Sequence, residues 1–287
     1  MPSPLHDRKI KELEVRANDM RQDLIKMLLR AKSGHSAGPL GMADIFAALY
    51  FHVLSHRPKQ PAWKDRDRLI LSNGHICPIR YVAMSHAGYF PKKELATLRQ
   101  LGTRLQGHPE RERLPGAETT SGPLGEGIAQ AAGMAYAARM DGASWHTYCV
   151  MGDGELEEGI CWESFLFIGK YALSNLTVIV DRNNIQIDGF TEDVSRLEPL
   201  RDKFEAFNFH VMEIDGHNVE EFVDACDEAK SVYKKPSVII AHTIPGKGVD
   251  FMEGKPEWHG KPPNAAEARQ ALGELRTLGG KISSEHE

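Results

Sequence analysis

What this sequence lacks narrows its function early. No apolar run is long enough to span a bilayer, and the charged N-terminus "LHDRKIKELEVR" has no secretory-signal core, so a cytoplasmic protein that needs no membrane is expected. Cysteine is scarce: Cys77, Cys149, Cys161 and Cys226 are scattered over 287 residues with no CxxC pair. That speaks for reduced thiols and against a disulfide framework or a zinc site. Excess positive charge is missing too. Lys and Arg number 35 against 40 Asp and Glu, a net charge of −5 with both signs spread along the chain, which argues against a nucleic-acid-binding surface. There is no internal repeat and no low-complexity linker. What remains is an ordinary globular composition, 41% hydrophobic and 26% charged, with length enough for one large domain or two small ones.

The apolar pattern changes character along the chain. Over residues 8–32, Leu13, Ala17, Met20, Leu24, Met27 and Leu28 recur at helical spacing on a charged background, predicting an amphipathic helix. "SGHSAGPLG" interrupts it, and Met42, Ile45, Phe46, Leu49 and Val53 predict a second helix. Beyond residue 65, short apolar runs each close on a polar or glycine-rich turn: "RLILSNGH", "HTYCVMGDG", "LTVIVDRNN", "FHVMEIDGH" and "PSVIIAHTIPG". Helical patterns near 79–87, 123–140, 157–171, 199–207 and 219–234 lie between them. Strands alternating with helices predict an α/β fold, a mostly parallel sheet with helices on both faces. The polar turns then fall beyond the carboxyl ends of the strands, where such sheets bind ligands. A domain over residues 1–270 with a C-terminal tail, 271–287, is expected.

One turn poses a problem of charge. In "MGDGELEEG", residues 151–159, Gly152 and Gly154 allow a backbone amide to approach a phosphate. No lysine follows; instead Asp153, Glu155, Glu157 and Glu158 add negative charge. The next strand resolves it. "VDRNNIQIDG" places Asn183 thirty residues after Asp153, one strand–helix–strand unit away, so parallel pairing brings the two to the same sheet edge. A carboxylate and a carboxamide there make an oxygen-rich site suited to Mg²⁺ or Ca²⁺, and the loop holds a diphosphate through that cation. Glu155 and Glu157 are expected in the first turn of the following helix, where the helix dipole favours negative charge. Alone, a GDG turn or an Asn pair is ordinary turn chemistry; spaced in this way they are the signature of thiamine-diphosphate enzymes.

With these motifs in order, the chain resembles the N-terminal, diphosphate-binding half of transketolase, over roughly residues 15–262. "SGHSAGPLGMADI" resembles the family's first histidine loop, "LSNGH" its second, "GHPE" with "TTSGPLGEGIAQAAGMA" the third histidine and the aminopyrimidine loop, and "WHG" at 258–260 the fourth. The resemblance implies thiamine diphosphate as cofactor, with Asp153, Asn183 and the carbonyl of Ile185 on the metal and the Gly154 amide on the diphosphate. It implies His75 and His259 near the phosphates, Gly122 and Leu124 along the pyrimidine, and Ile187 and Ile244 against the cofactor's rings. His35, His108 and His259 would line the substrate channel, His108 holding the donor's terminal hydroxyl and His35 and His259 moving protons, work suited to imidazole near neutral pH. His52, His56, His86, His146 and His210 are expected to be structural or at the surface, and Glu158 and Glu163 to lie exposed unless a second subunit covers them.

The implied reaction moves a two-carbon ketol unit from a ketose phosphate to an aldose phosphate. Ordinary transketolase is more than twice this length, and its second half supplies the activating glutamate, the aromatic pocket around the pyrimidine and the arginines for sugar phosphate. None of that is found after "WHGKPP". The expectation is therefore the N-terminal subunit of a split transketolase, an α₂β₂ assembly with a separate C-terminal subunit. The competing readings are another thiamine-diphosphate enzyme, such as a deoxyxylulose-phosphate synthase or the alpha chain of a 2-oxo acid dehydrogenase, and a non-catalytic cofactor-binding module.

Overall fold

The structure, a computed structural model, describes residues 6–277. Its chain opens with α1, Asp7–Ala31, whose apolar stripe is buried and which ends where Lys32 turns left-handed (φ 54°) and donates its N–H to Leu28 O at 2.9 Å. The region expected as a single second helix is two short ones, α2 (Ala37–Gly41) and α3 (Ala43–Ala48), the latter running into a π turn, Leu49–Val53. Helical structure thus begins inside the glycine-rich segment that was expected only to break the helix.

From there strands and helices alternate: β1 Arg68–Leu71, α4 Cys77–Ala87, α5 Glu126–Met140, β2 Thr147–Gly152, α6 Gly159–Lys170 and β3 Leu176–Arg182. A small hairpin of β4 (Ile185–Gln186) and β5 (Gly189–Phe190) follows, then α7 (Thr191–Val194), α8 (Leu200–Ala206), β6 (His210–Asp215), α9 (Val219–Ser231) and β7 (Ser237–His242). The five long strands form one parallel sheet in the order β1-β2-β3-β7-β6. Its central strand β3 is buried at every position, because helices cover both faces. The alternation of side chains sorts the core. Tyr148, Val150 and Ile179 face the layer of α1, α3, α4 and α9, whereas Cys149, Met151, Val178 and Val180 face α5, α6 and α8.

The last helix, α10 (Ala265–Thr277), packs back on α1, with Leu275 fully buried and its carbonyl accepting from Asn18 Nδ2 at 3.0 Å. It runs across the boundary expected at residue 270; the rest of the expected tail, 278–287, lies outside the described residues. Among the described residues no helix is long and apolar enough to cross a membrane.

Candidate active site

Three turns beyond the strand ends, with loops outside the sheet, build one cleft of about 440 Å³. Asn73 and His75 come from the turn after β1; Gly152, Asp153, Gly154 and Glu155 from the turn after β2; and Asn183, Ile185 and Ile187 from beyond β3. His35, His108, Gly122, Leu124 and His259 complete the lining from loops outside the sheet. Every residue assigned a site role from the sequence meets here except Ile244. The parallel register explains the central pairing: Gly152 lies opposite Asp181, and Asp153 N–H donates to Asp181 O at 3.2 Å.

Ile244 lines a separate cleft of about 410 Å³ with His217, His242 and Lys247. The turn after β7 is tied back beneath α2, with Gly246 N–H donating to Ala37 O at 2.8 Å, and Ile244 N–H donates to His217 Nε2 at 2.8 Å. The residue before Ile244, Thr243, hydrogen-bonds Asp181 of the first cleft, whose lining does not include Ile244.

Three imidazoles crowd together: ring centroids lie 4.9 Å apart for His35 and His75, 5.2 Å for His75 and His259, and 5.6 Å for His35 and His259. Burial, then the neighbouring His259, Arg99 and His108, pushes His35 down to about 4; burial likewise lowers His75, His108 and His259. The cluster is therefore neutral at pH 7. Among the described residues Nδ1 of His35 and of His259 are buried and have no hydrogen-bond partner. The histidines left aside behave differently. His56 pairs with Tyr89 and Tyr50 O, His86 with Asp23, His146 with Thr177 and His210 with Glu228, while His52 is exposed. Buried polar groups normally find partners, so the unsatisfied imidazoles mark where a polar ligand belongs.

Asp153 is 1% exposed. Its Oδ1 accepts from Gly154 N–H (2.8 Å) and its Oδ2 from Asn184 N–H (2.7 Å) and Arg182 Nη1 (3.0 Å). Burial outweighs the arginine and lifts the carboxyl to about 6, an excess of desolvation that a divalent cation would relieve. Asp181, also buried, reaches about 7; it takes hydrogen bonds from Thr243 Oγ1 and, at 2.8 Å, from Asn183 Nδ2, which aims that carboxamide's oxygen the other way. Among the described residues no three His, Cys, Asp or Glu side chains form a metal cluster. A set of one carboxylate, one carboxamide and one carbonyl would not register as one, and it suits a hard cation that takes its remaining oxygens from a ligand.

Two glutamates lie elsewhere than their spacing predicts. Gly154–Glu157 is a separate 3₁₀ turn, and α6 starts only at Gly159 with Glu158 at its cap. Glu155 is turned inward and 2% exposed, where burial raises its carboxyl to about 7, and Glu157 accepts from Gln186 Nε2 at 2.9 Å. Glu158 and Glu163 are exposed. Asn73, Asp181 and Gln186 also reach the cleft and were missed, although each lies inside a quoted motif, "LSNGH" or "VDRNNIQIDG".

Comparison with known proteins gives consistent results. A family described as "Transketolase, thiamine diphosphate binding domain" matches residues 14–277. The chain is 41% identical over 268 residues to the 6-deoxy-6-sulfo-D-fructose transketolase subunit SqwG of Clostridium sp. (strain MSTE9), covering 93% of this chain and 98% of that one. It is 37% identical over 278 residues to an apulose-4-phosphate transketolase subunit from Phocaeicola vulgatus, covering 97% and 99%. A solved transketolase from Leishmania mexicana superposes with a TM-score of 0.85 at 36% identity, over 93% of this chain but only 41% of that longer one.

Proposed function

We infer the function from this premise: the chain belongs to the transketolase family, as an N-terminal, thiamine-diphosphate-binding subunit. It transfers a two-carbon ketol unit from a ketose phosphate to an aldose phosphate, in an α₂β₂ assembly with a separate C-terminal subunit. The observation that carries this reading is the convergence of four imidazoles, two of them with a buried and unsatisfied Nδ1, with Asp153 and Asn183 in one cleft beyond the strand ends.

When bound, thiamine diphosphate supplies a nucleophilic thiazolium carbon and an electron sink. The residues of this chain do the holding and the proton work. Asp153, Asn183 and the Ile185 carbonyl would take Mg²⁺ or Ca²⁺, and the Gly154 amide, which donates to Asp153 Oδ1 at 2.8 Å in the empty cleft, would turn to a diphosphate oxygen once the cation engages that carboxylate. His75 and His259 face the phosphates, and Gly122 and Leu124 lie along the pyrimidine. Ile187, 69% exposed at the hairpin tip, offers the cofactor's rings an apolar face. His108 holds the donor's terminal hydroxyl. His35 and His259, kept neutral by burial, take a proton from the sugar hydroxyl beside the bond that breaks and deliver one to the former carbonyl oxygen.

The test is ketol transfer from xylulose 5-phosphate to ribose 5-phosphate, assayed with the chain alone and with its complementary subunit. The relatives are named for unusual donors, so 6-deoxy-6-sulfo-fructose and apulose 4-phosphate belong in the panel. Turnover only in the mixture is expected. Turnover by the chain alone refutes the split-enzyme reading, and thiamine diphosphate binding without turnover on any donor favours a non-catalytic module.

A further inference from the structure

We infer that Glu155 is a positioning residue, a single buried carboxylate that pins three of the loops forming the cofactor cleft; the inference rests on the functional reading above. Its Oε1 accepts from Ser72 Oγ, just past β1, and from Gly125 N–H at 2.7 Å. Its Oε2 accepts from Gly152 N–H at 3.1 Å, at the end of β2. Gly125 closes the loop that carries Gly122 and Leu124, with φ at +80°. The first residues of α5 then lie so close to the end of β1 that a Cβ at Gly127 would stand 2.5 Å from Ser72 Cα. Among the described residues no other donor in that loop reaches the turn after β2. The height of the pyrimidine loop over the diphosphate turn is therefore set through this side chain.

The geometry makes a sharp demand on the residue type. Three donors converge on two oxygens, so both must accept. Glutamine has one carbonyl and one amino group. Turned one way, its NH₂ opposes Gly152 N–H; turned the other way, it opposes Gly125 N–H. A backbone donor is left facing another donor in a buried position, which costs more than the lost bond. An equal-sized substitution should thus loosen the cleft with the fold intact.

The experiment compares wild type with E155Q, each assembled with the complementary subunit. Calorimetric titration with thiamine diphosphate in excess Mg²⁺ should give a dissociation constant raised about 10–100-fold, the range usual for groups that orient a ligand's contacts. The apparent KM for the cofactor should rise alike, with kcat at saturating cofactor within about twofold of wild type. Hydrogen exchange on isotope-labelled glycine should accelerate at Gly125 and Gly152 in the variant without accelerating through the sheet. Unchanged cofactor affinity in E155Q overturns the inference while the functional reading stands; failure of wild type to bind the cofactor overturns both. If E155Q does not fold, wild type decides: Gly125 must exchange far more slowly than the exposed Gly102, and equal rates overturn the inference.

Discussion

Replacing Asp153 by asparagine separates its cost to the empty protein from its service to the cofactor. Burial lifts its carboxyl from 3.8 to about 6, net of the Arg182 guanidinium 3.0 Å away. A raised folded pKa means that the group's contribution to stability is complete below the unfolded value and is lost as pH rises through about 6. At about 1.4 kcal/mol per tenfold change in proton affinity, the ionised side chain costs the empty fold about 3 kcal/mol at pH 8, with about 2 kcal/mol of that appearing above pH 4.5. Asparagine escapes this term. It meets a different one: its NH₂ must face Gly154 N–H, Asn184 N–H or Arg182, a buried mismatch of about 1–3 kcal/mol that does not depend on pH. In the cofactor-free protein, unfolding measured in urea should therefore show D153N gaining about 2 kcal/mol on wild type between pH 4.5 and pH 8. The cofactor reverses the ranking. With Mg²⁺ and thiamine diphosphate at about 100 times the dissociation constant, wild type gains about 2.7 kcal/mol. D153N, having lost a direct metal ligand, should bind more than about 100-fold more weakly and gain almost nothing. A difference between the two proteins that ignores pH would refute the desolvation argument. Equal calorimetric affinity in the assembled enzyme would refute the metal assignment.

Two further outcomes are expected. His108→Ala should leave the calorimetric affinity for thiamine diphosphate within about twofold and raise KM for a ketose donor about 3–10-fold, the worth of one net hydrogen bond; unchanged steady-state kinetics would remove it from the substrate channel. Asp44→Ala should destabilise the fold by about 3–5 kcal/mol in urea unfolding, because it strands the fully buried Arg21, whose Nη1 sits 3.1 Å from the carboxylate, and costs His217 a 2.9 Å partner. Cofactor affinity should not follow, and a loss under about 1 kcal/mol would show that Arg21 had found other company.

The parts of this protein legible in the sequence are those set by strand order and turn position. Gly152, Asp153, Asn183 and the Gly-His turn at His75 could be assigned because a parallel sheet delivers every strand's carboxyl end to one edge, whatever the intervening helices do, whereas His35, on a loop outside the sheet, was assigned from its motif alone. The illegible parts are those in which a short turn chooses a direction. Glu155 follows Asp153 by two residues, and the pattern "GDGELEEG" suits a helix's first turn as well as a tight 3₁₀ turn; the difference reverses a side chain from solvent to core. Ile244 follows β7 by two residues, and its turn is steered by Gly246 reaching Ala37 some two hundred positions away, a contact no local pattern encodes. The histidines show the same division. Motif position picked out His35, His75, His108 and His259, but only the structure shows what separates His35 and His259 from His56, His86, His146 and His210: the second group has partners among the described residues, whereas His35 and His259 each keep a buried Nδ1 without one. Unsatisfied imidazoles and desolvated carboxylates are costs to the empty fold. Their concentration in one cleft means that stability has been given up where a charged ligand restores it, so the cleft's function is written most plainly in the interactions it leaves unmade.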